Sequence, residues 1–181
     1  RQPEWIKQLI QHINFNSIDE ITQKLKTEDH IFMVSDGSGK SKAMTFGWVM
    51  STQKGERLAT SAGHCQGKES SLRAEATGML AASVFIALLQ QYSNFENGTL
   101  SIIYASDNLE LIRKENNHKN YNNPYPNATL RPEFDVTEQI YLINKANKIR
   151  PYFSWVRGHQ DDDEEEEDLP LLVQLNIEAD R

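Results

Sequence analysis

The chain has 181 residues, one domain's length, with 38% apolar and 25% charged side chains, which excludes wholesale disorder and a multidomain array. Its single cysteine, Cys65, excludes an internal disulfide framework and a multi-cysteine zinc site, and fits a reducing compartment. The net charge of −7 comes from one run, residues 161–168: without it 18 of the 26 acidic residues stand against 19 basic ones, so net charge does not argue against a nucleic-acid partner.

The first 27 residues read as an N-terminal extension of two short helices. Trp5, Ile6, Leu9, Ile10 and Ile13 recur at helical spacing, and Ser17 with Glu20 three positions on spells a capping box. Short apolar runs at 30–36, 43–51 and 56–64, separated by turn-forming GSGKSK and QKG, predict an antiparallel meander. Residues 70–92 are long and rich in Ala and Leu, the composition of a helix buried among other elements. A fourth strand is predicted at 99–107, a short helix at 108–115, an Asn- and Pro-rich loop at 116–134, a helix near 135–148 and a fifth strand at 149–157. The acidic run is expected to be a solvated loop, and LPLLVQLNIEADR closes the chain as a helix. Strands first and alternation later predict a mixed sheet with helices on its faces.

With no apolar run of about 18 residues and no secretory leader pattern, the chain is expected to be intracellular, cytoplasmic or nuclear, and neither secreted nor membrane-bound. Lys40-Ser41 after Gly39 mimics the end of a phosphate-cradling loop, but Val34 stands where that motif needs its first glycine.

Four acids fall on ordered elements. Asp36 ends the first strand, Glu75 lies in the first turns of the apolar helix, Asp107 ends the fourth strand and Asp180 lies in the last helix. Glu75 carries the most information, because an unpaired charge inside a buried helix costs several kcal/mol. Several carboxylates converging on one small volume would suit hard divalent cations, which prefer oxygen ligands.

In order along the chain, VSDGS, SSLRAEATGML, YASDN, WVRGHQDD and LNIEAD resemble the segments of a type 1 ribonuclease H, over about residues 30–181. The order SDGS, RAE, SDN, GHQD and N-x-x-A-D looks most like the versions in retrotransposon polyproteins, downstream of a reverse transcriptase. The resemblance implies an α/β RNase H-like domain over 28–181, with a mixed five-stranded sheet in the order 3-2-1-4-5 and helices on both faces. It implies Asp36, Glu75, Asp107 and Asp180 as ligands for two Mg²⁺ ions, with Mn²⁺ as a substitute, and His159 as a mobile-loop histidine assisting proton movement or product departure. Gly37, Ser38, Ser71, Arg73, Asn108 and Asn176 fall at positions implied to contact substrate. The implied activity is hydrolysis of the RNA strand of an RNA–DNA hybrid, with a covalently linked reverse transcriptase domain as a further partner; a catalytically inactive binding or assembly module is the alternative.

The sequence departs from the family in four places. Ser71 stands where a side-chain amide is common, the GSGKSKA loop after Asp36 is shorter than the family's Gly- and Pro-rich version, Arg113, Lys114, Lys119 and Arg131 replace a long basic handle as candidate phosphate contacts, and the acidic run is an insertion. The chain ends one residue after Asp180, so a truncated final helix and a longer parent polypeptide are expected.

Overall fold

The structure is a computed structural model describing residues 2–40, 43–93, 100–120, 132–162 and 164–181. In chain order it contains α1 (Glu4–Leu9), β1 (Ile13–Phe15), α2 (Ile18–Thr27), β2 (Ile31–Lys40), β3 (Ala43–Thr52), β4 (Arg57–His64), α3 (Ser71–Ser93), β5 (Ser101–Ser106), α4 (Leu109–Asn120), α5 (Phe134–Ala146), β6 (Arg150–Trp155) and α6 (Leu171–Asp180). One mixed sheet runs in the order β1-β4-β3-β2-β5-β6. The pairs from β1 through β2 are antiparallel, and β2-β5 and β5-β6 are parallel.

Within this sheet the five predicted strands stand in the expected order, and a sixth is added at one edge. Ile13 is expected to close the first helical pattern; instead Ile13–Phe15 form β1, in antiparallel register with Ala59–Ser61 of β4. Ile13 and Phe15 alternate with Asn14, and the free edge of β4 offers unpaired backbone groups that a three-residue strand satisfies. Two further boundaries differ. The 37–42 turn shrinks, because β2 runs on to Lys40 paired with Ala43, and residues 116–120, expected as loop, continue α4. Of the rest of the predicted loop, 121–131 lie outside the described residues and Phe134 opens α5. The Ser17 cap forms as its spacing predicts, its hydroxyl accepting from the Glu20 N–H at 3.3 Å.

The period of two along the strands divides the core. Ile31 and Met33 of β2 join Phe46, Trp48 and Met50 of β3 in the larger cluster, under α3 and with α5 against that helix. Val34, Val49 and Ala105 point to the other face, where Leu175 and Ala179 of α6 cover them. Helix α3 is long and apolar enough to span a bilayer by composition, at mean hydropathy 1.5, but most of that surface is buried within the molecule.

Candidate active site

Three elements bring three carboxyl groups together at the end of the parallel strands. Asp36 on β2, Glu75 on α3 and Asp107 after β5 each place an oxygen within 4.8 Å of the others. Asp36 and Glu75 are buried, whereas Asp107 is half-buried. This edge, where a parallel strand ends and a helix begins, is where open α/β sheets place their ligands.

The close approach of α3 to β2 is written in Gly37. A Cβ at that position would lie 2.4 Å from the Ala74 carbonyl carbon and 2.5 Å from the Glu75 nitrogen, so only hydrogen fits between strand and helix. The same logic holds on the opposite face at Gly47, where a Cβ would lie within 2.2 Å of the Ala179 carbonyl oxygen. Gly47 pairs with Asp36 across the sheet, so this contact seats the end of α6 beside Asp36.

Hydrogen bonds then orient the acids. The Gly37 N–H donates to Asp36 Oδ1 at 2.8 Å. Ser106 Oγ donates to Glu75 Oε2 at 3.2 Å while accepting from the Asn108 N–H at 3.1 Å, so one hydroxyl ties Glu75 to the loop that carries Asp107. The Trp155 indole N–H donates to the Asp107 carbonyl at 2.9 Å. In sequence, the signal for Ser106 is its place in YASDN, one residue before Asp107 at the end of a buried strand.

Burial and like charge dominate the electrostatics. Burial pushes Asp36 up to about 6; its hydrogen bond with Glu75 and that from Gly37 oppose the rise, while Asp107 and Asp180 add to it. Glu75 is pushed up to about 11 by burial first, then by Asp36 and Asp107. The pair therefore keeps one proton through neutral pH when no cation compensates it. Three clustered carboxyl groups, with Gly37 N–H on Asp36 and Ser106 Oγ on Glu75, make an all-oxygen set suited to a hard divalent ion.

Asp180 stands apart from this triad. It is exposed at the end of α6, close enough for its charge to reach Asp36, and lines the same cleft. His159 is exposed, at a left-handed φ of 54° costly for a residue with a Cβ, and is not drawn into the carboxylate cluster. Its neighbour Gly158 abuts the Asp107 carboxylate, and a Cβ there would displace that side chain.

The residues expected to contact substrate divide. Gly37 and Ser38 line the cleft with Asp36, and Ser71 is exposed at the start of α3. Asn108 caps α4, its Oδ1 accepting from the Leu111 N–H at 3.0 Å. Asn176 is buried in α6, its Nδ2 without a hydrogen-bond partner among the described residues. The Arg73 guanidinium is held by Glu133 at 2.7 Å and Asp135 at 2.9 Å and by the Gln66 carbonyl at 2.6 Å, so it clamps α5 to α3. Among the basic candidates, Arg113 is exposed and Lys114 lies 3.7 Å from Glu110. Arg131 and the side chain of Lys119 lie outside the described residues. In the acidic run, Asp162, Glu164, Glu165 and Glu167 are exposed, and Glu166 pairs with Arg181 at 2.6 Å.

No protein-family model and no curated relative matches the sequence. Among solved structures, LC11-RNase H1, isolated from compost by a metagenomic approach, superposes with a TM-score of 0.57 at 17% identity, over 84% of this chain and 91% of that one. The chain has the ribonuclease H fold. LC11-RNase H1 in complex with an RNA/DNA hybrid superposes with a TM-score of 0.54 at 15% identity, over 73% of this chain and 87% of that one. The N-terminal RNase H domain of a Mycobacterium tuberculosis protein, fused to maltose-binding protein, gives 0.50 at 16%, over 72% and 84%. In this RNase H fold, the clustered acids stand where the parallel pairing of β2 with β5 stops and α3 begins, with Asp36 inside β2, not at its end.

Proposed function

We propose that the chain is an endonuclease hydrolysing the RNA strand of RNA–DNA hybrids with two divalent ions, Mg²⁺ or Mn²⁺, held by Asp36, Glu75, Asp107 and Asp180. The observation that carries this reading is the triad of oxygens within 4.8 Å on the RNase H fold, two of its members buried at a cost that a cation would offset. Bound ions would supply charge for the attacked phosphate and a readily deprotonated water. The chain's own contribution is placement. Gly37 lets Glu75 reach Asp36, Ser106 holds Glu75 and the start of α4 in one register, and Trp155 fixes the backbone of Asp107. His159, exposed on the loop that abuts Asp107, is proposed to move protons or release product. Choice of RNA would come from contacts to 2′-hydroxyls in the shallow groove of an A-like duplex.

A retroelement polyprotein as parent, with a linked reverse transcriptase, is proposed on the motif order alone; an intracellular setting is proposed on the lone free thiol, Cys65. The purified chain with Mg²⁺ should cut the RNA strand of a labelled hybrid and leave duplex DNA and single strands intact. Asp36→Asn should slow cutting by roughly 10²–10³-fold, the scale of losing one preorganised charge-stabilising group. A folded wild-type chain that binds hybrid without cutting it under Mg²⁺ or Mn²⁺ refutes the nuclease reading and leaves a binding module.

A further inference from the structure

The N-terminal extension does more than cap the sheet. Strand register carries a line of residues outward from the carboxylates: Asp36 pairs with Gly47, Gly47 with Ala62, and continuation of the β1–β4 register sets His12 opposite Ala62. A second row one step toward the strand ends reads Ser38, Thr45, His64. Cross-strand partners share a face, so both rows lie on the side covered by α6, and α6 ends at Asp180; further along the rows Ala62, His64 and His12 are exposed. Gly47 and Ala62 keep the first row low. The result is a trough lined by His12, Gly37, Ser38, Thr45, His64 and Asp180 with Asp36 at one end. Three strand spacings make it about 14 Å long from Asp36 to His12.

The far end is anchored. Ser61 Oγ donates to the His12 carbonyl at 2.9 Å, β1 pairs with β4, and Gln66 Nε2 donates to Gln8 Oε1 at 3.1 Å, tying α1 to the segment after β4. Both imidazoles are exposed. The chemistry of the trough changes along its length, from carboxylates at Asp36 and Asp180 to hydroxyls at Ser38 and Thr45 and imidazole N–H groups at His64 and His12. Hydroxyl and imidazole N–H donors suit phosphate oxygens, and a strand whose scissile phosphate lies at the acids must continue over neighbouring surface.

We propose that His12 and His64 bind the backbone phosphates of the substrate strand where it leaves the carboxylate site, making the N-terminal extension part of the nucleic-acid interface. This rests on the nuclease reading and adds a subsite to it. Steady-state cleavage by the full chain at fixed salt tests it, using a long hybrid that reaches past the trough and a short one that ends at the cut. His12→Ala/His64→Ala should raise KM about tenfold on the long hybrid, the scale of two lost hydrogen bonds, with kcat within about twofold. On the short hybrid the same variant should match wild type. His12→Asn/His64→Gln, which retain N–H donors, should recover most of the lost affinity. Unchanged KM on the long hybrid, or an equal rise on both hybrids, overturns the subsite while wild-type cleavage preserves the nuclease reading. Absence of wild-type cleavage removes both.

Discussion

Replacing Glu75 with Gln should make the metal-free protein more stable at alkaline pH. In the unfolded chain Asp36 and Glu75 ionise near their ordinary values of 3.8 and 4.5, so above about pH 6 both have lost their protons. In the folded chain burial holds Glu75 up to about 11, so the native state keeps one proton that the unfolded state releases. A raised folded pKa of an acid means stability is full below about 4.5 and is lost as pH rises. One retained proton costs about 1.4 kcal/mol per pH unit, or about 3 kcal/mol between pH 6 and 8. For a chain of this size that corresponds to a Tm shift of about 6–12 °C. Gln has nearly the shape of protonated Glu and can still accept from Ser106, but it has no proton to lose. Thermal unfolding of both proteins in chelator across pH 5–8 reads the difference, which cancels contributions from other groups. Curves that diverge by about 3 kcal/mol toward pH 8 support a buried coupled pair, and Mg²⁺ should then stabilise wild type at pH 8 more than Glu75→Gln. Parallel curves would show that Glu75 is solvated and ionised in the native state, refuting the electrostatic account of the site.

Gly37→Ala should cost about 1–3 kcal/mol of stability and weaken Mg²⁺-induced stabilisation, because the new Cβ meets the backbone of α3 at 2.4 Å and displaces Glu75; calorimetry with and without Mg²⁺ measures both. Glu115, fully buried in α4 with neither oxygen hydrogen-bonded among the described residues and His118 Nδ1 3.9 Å away, is pushed well above its ordinary range by burial and by Glu138. Glu115→Gln should therefore leave stability at pH 5 nearly unchanged and reduce its decline toward pH 8, as read by denaturant titration at the two pH values. Arg73→Ala, which removes a largely buried clamp to Glu133 and Asp135, should destabilise by about 1.5–3 kcal/mol while leaving KM for hybrid within about twofold; a large KM effect with unchanged stability would place Arg73 at the substrate after all.

Short-range patterning in the chain determined most of the elements. Ser17 and Glu20 announce the cap of α2, the apolar runs at 30–36 and 43–51 announce β2 and β3, and a carboxylate inside the apolar stretch 70–92 marks Glu75 as anomalous, because period, cap chemistry and the cost of a buried charge act over a few residues. Tertiary structure alone decided what these elements do to one another. The free edge of β4 turned Ile13–Phe15 into a strand, Glu133 and Asp135 claimed Arg73, and the closeness of α3 to β2 at Gly37 brought Glu75 to Asp36 while Asp180 and His159 stayed outside the tight cluster. Partners separated by tens of residues leave no local trace of their distance: whether a charge meets a countercharge, a cation or solvent depends on how the sheet and its helices pack.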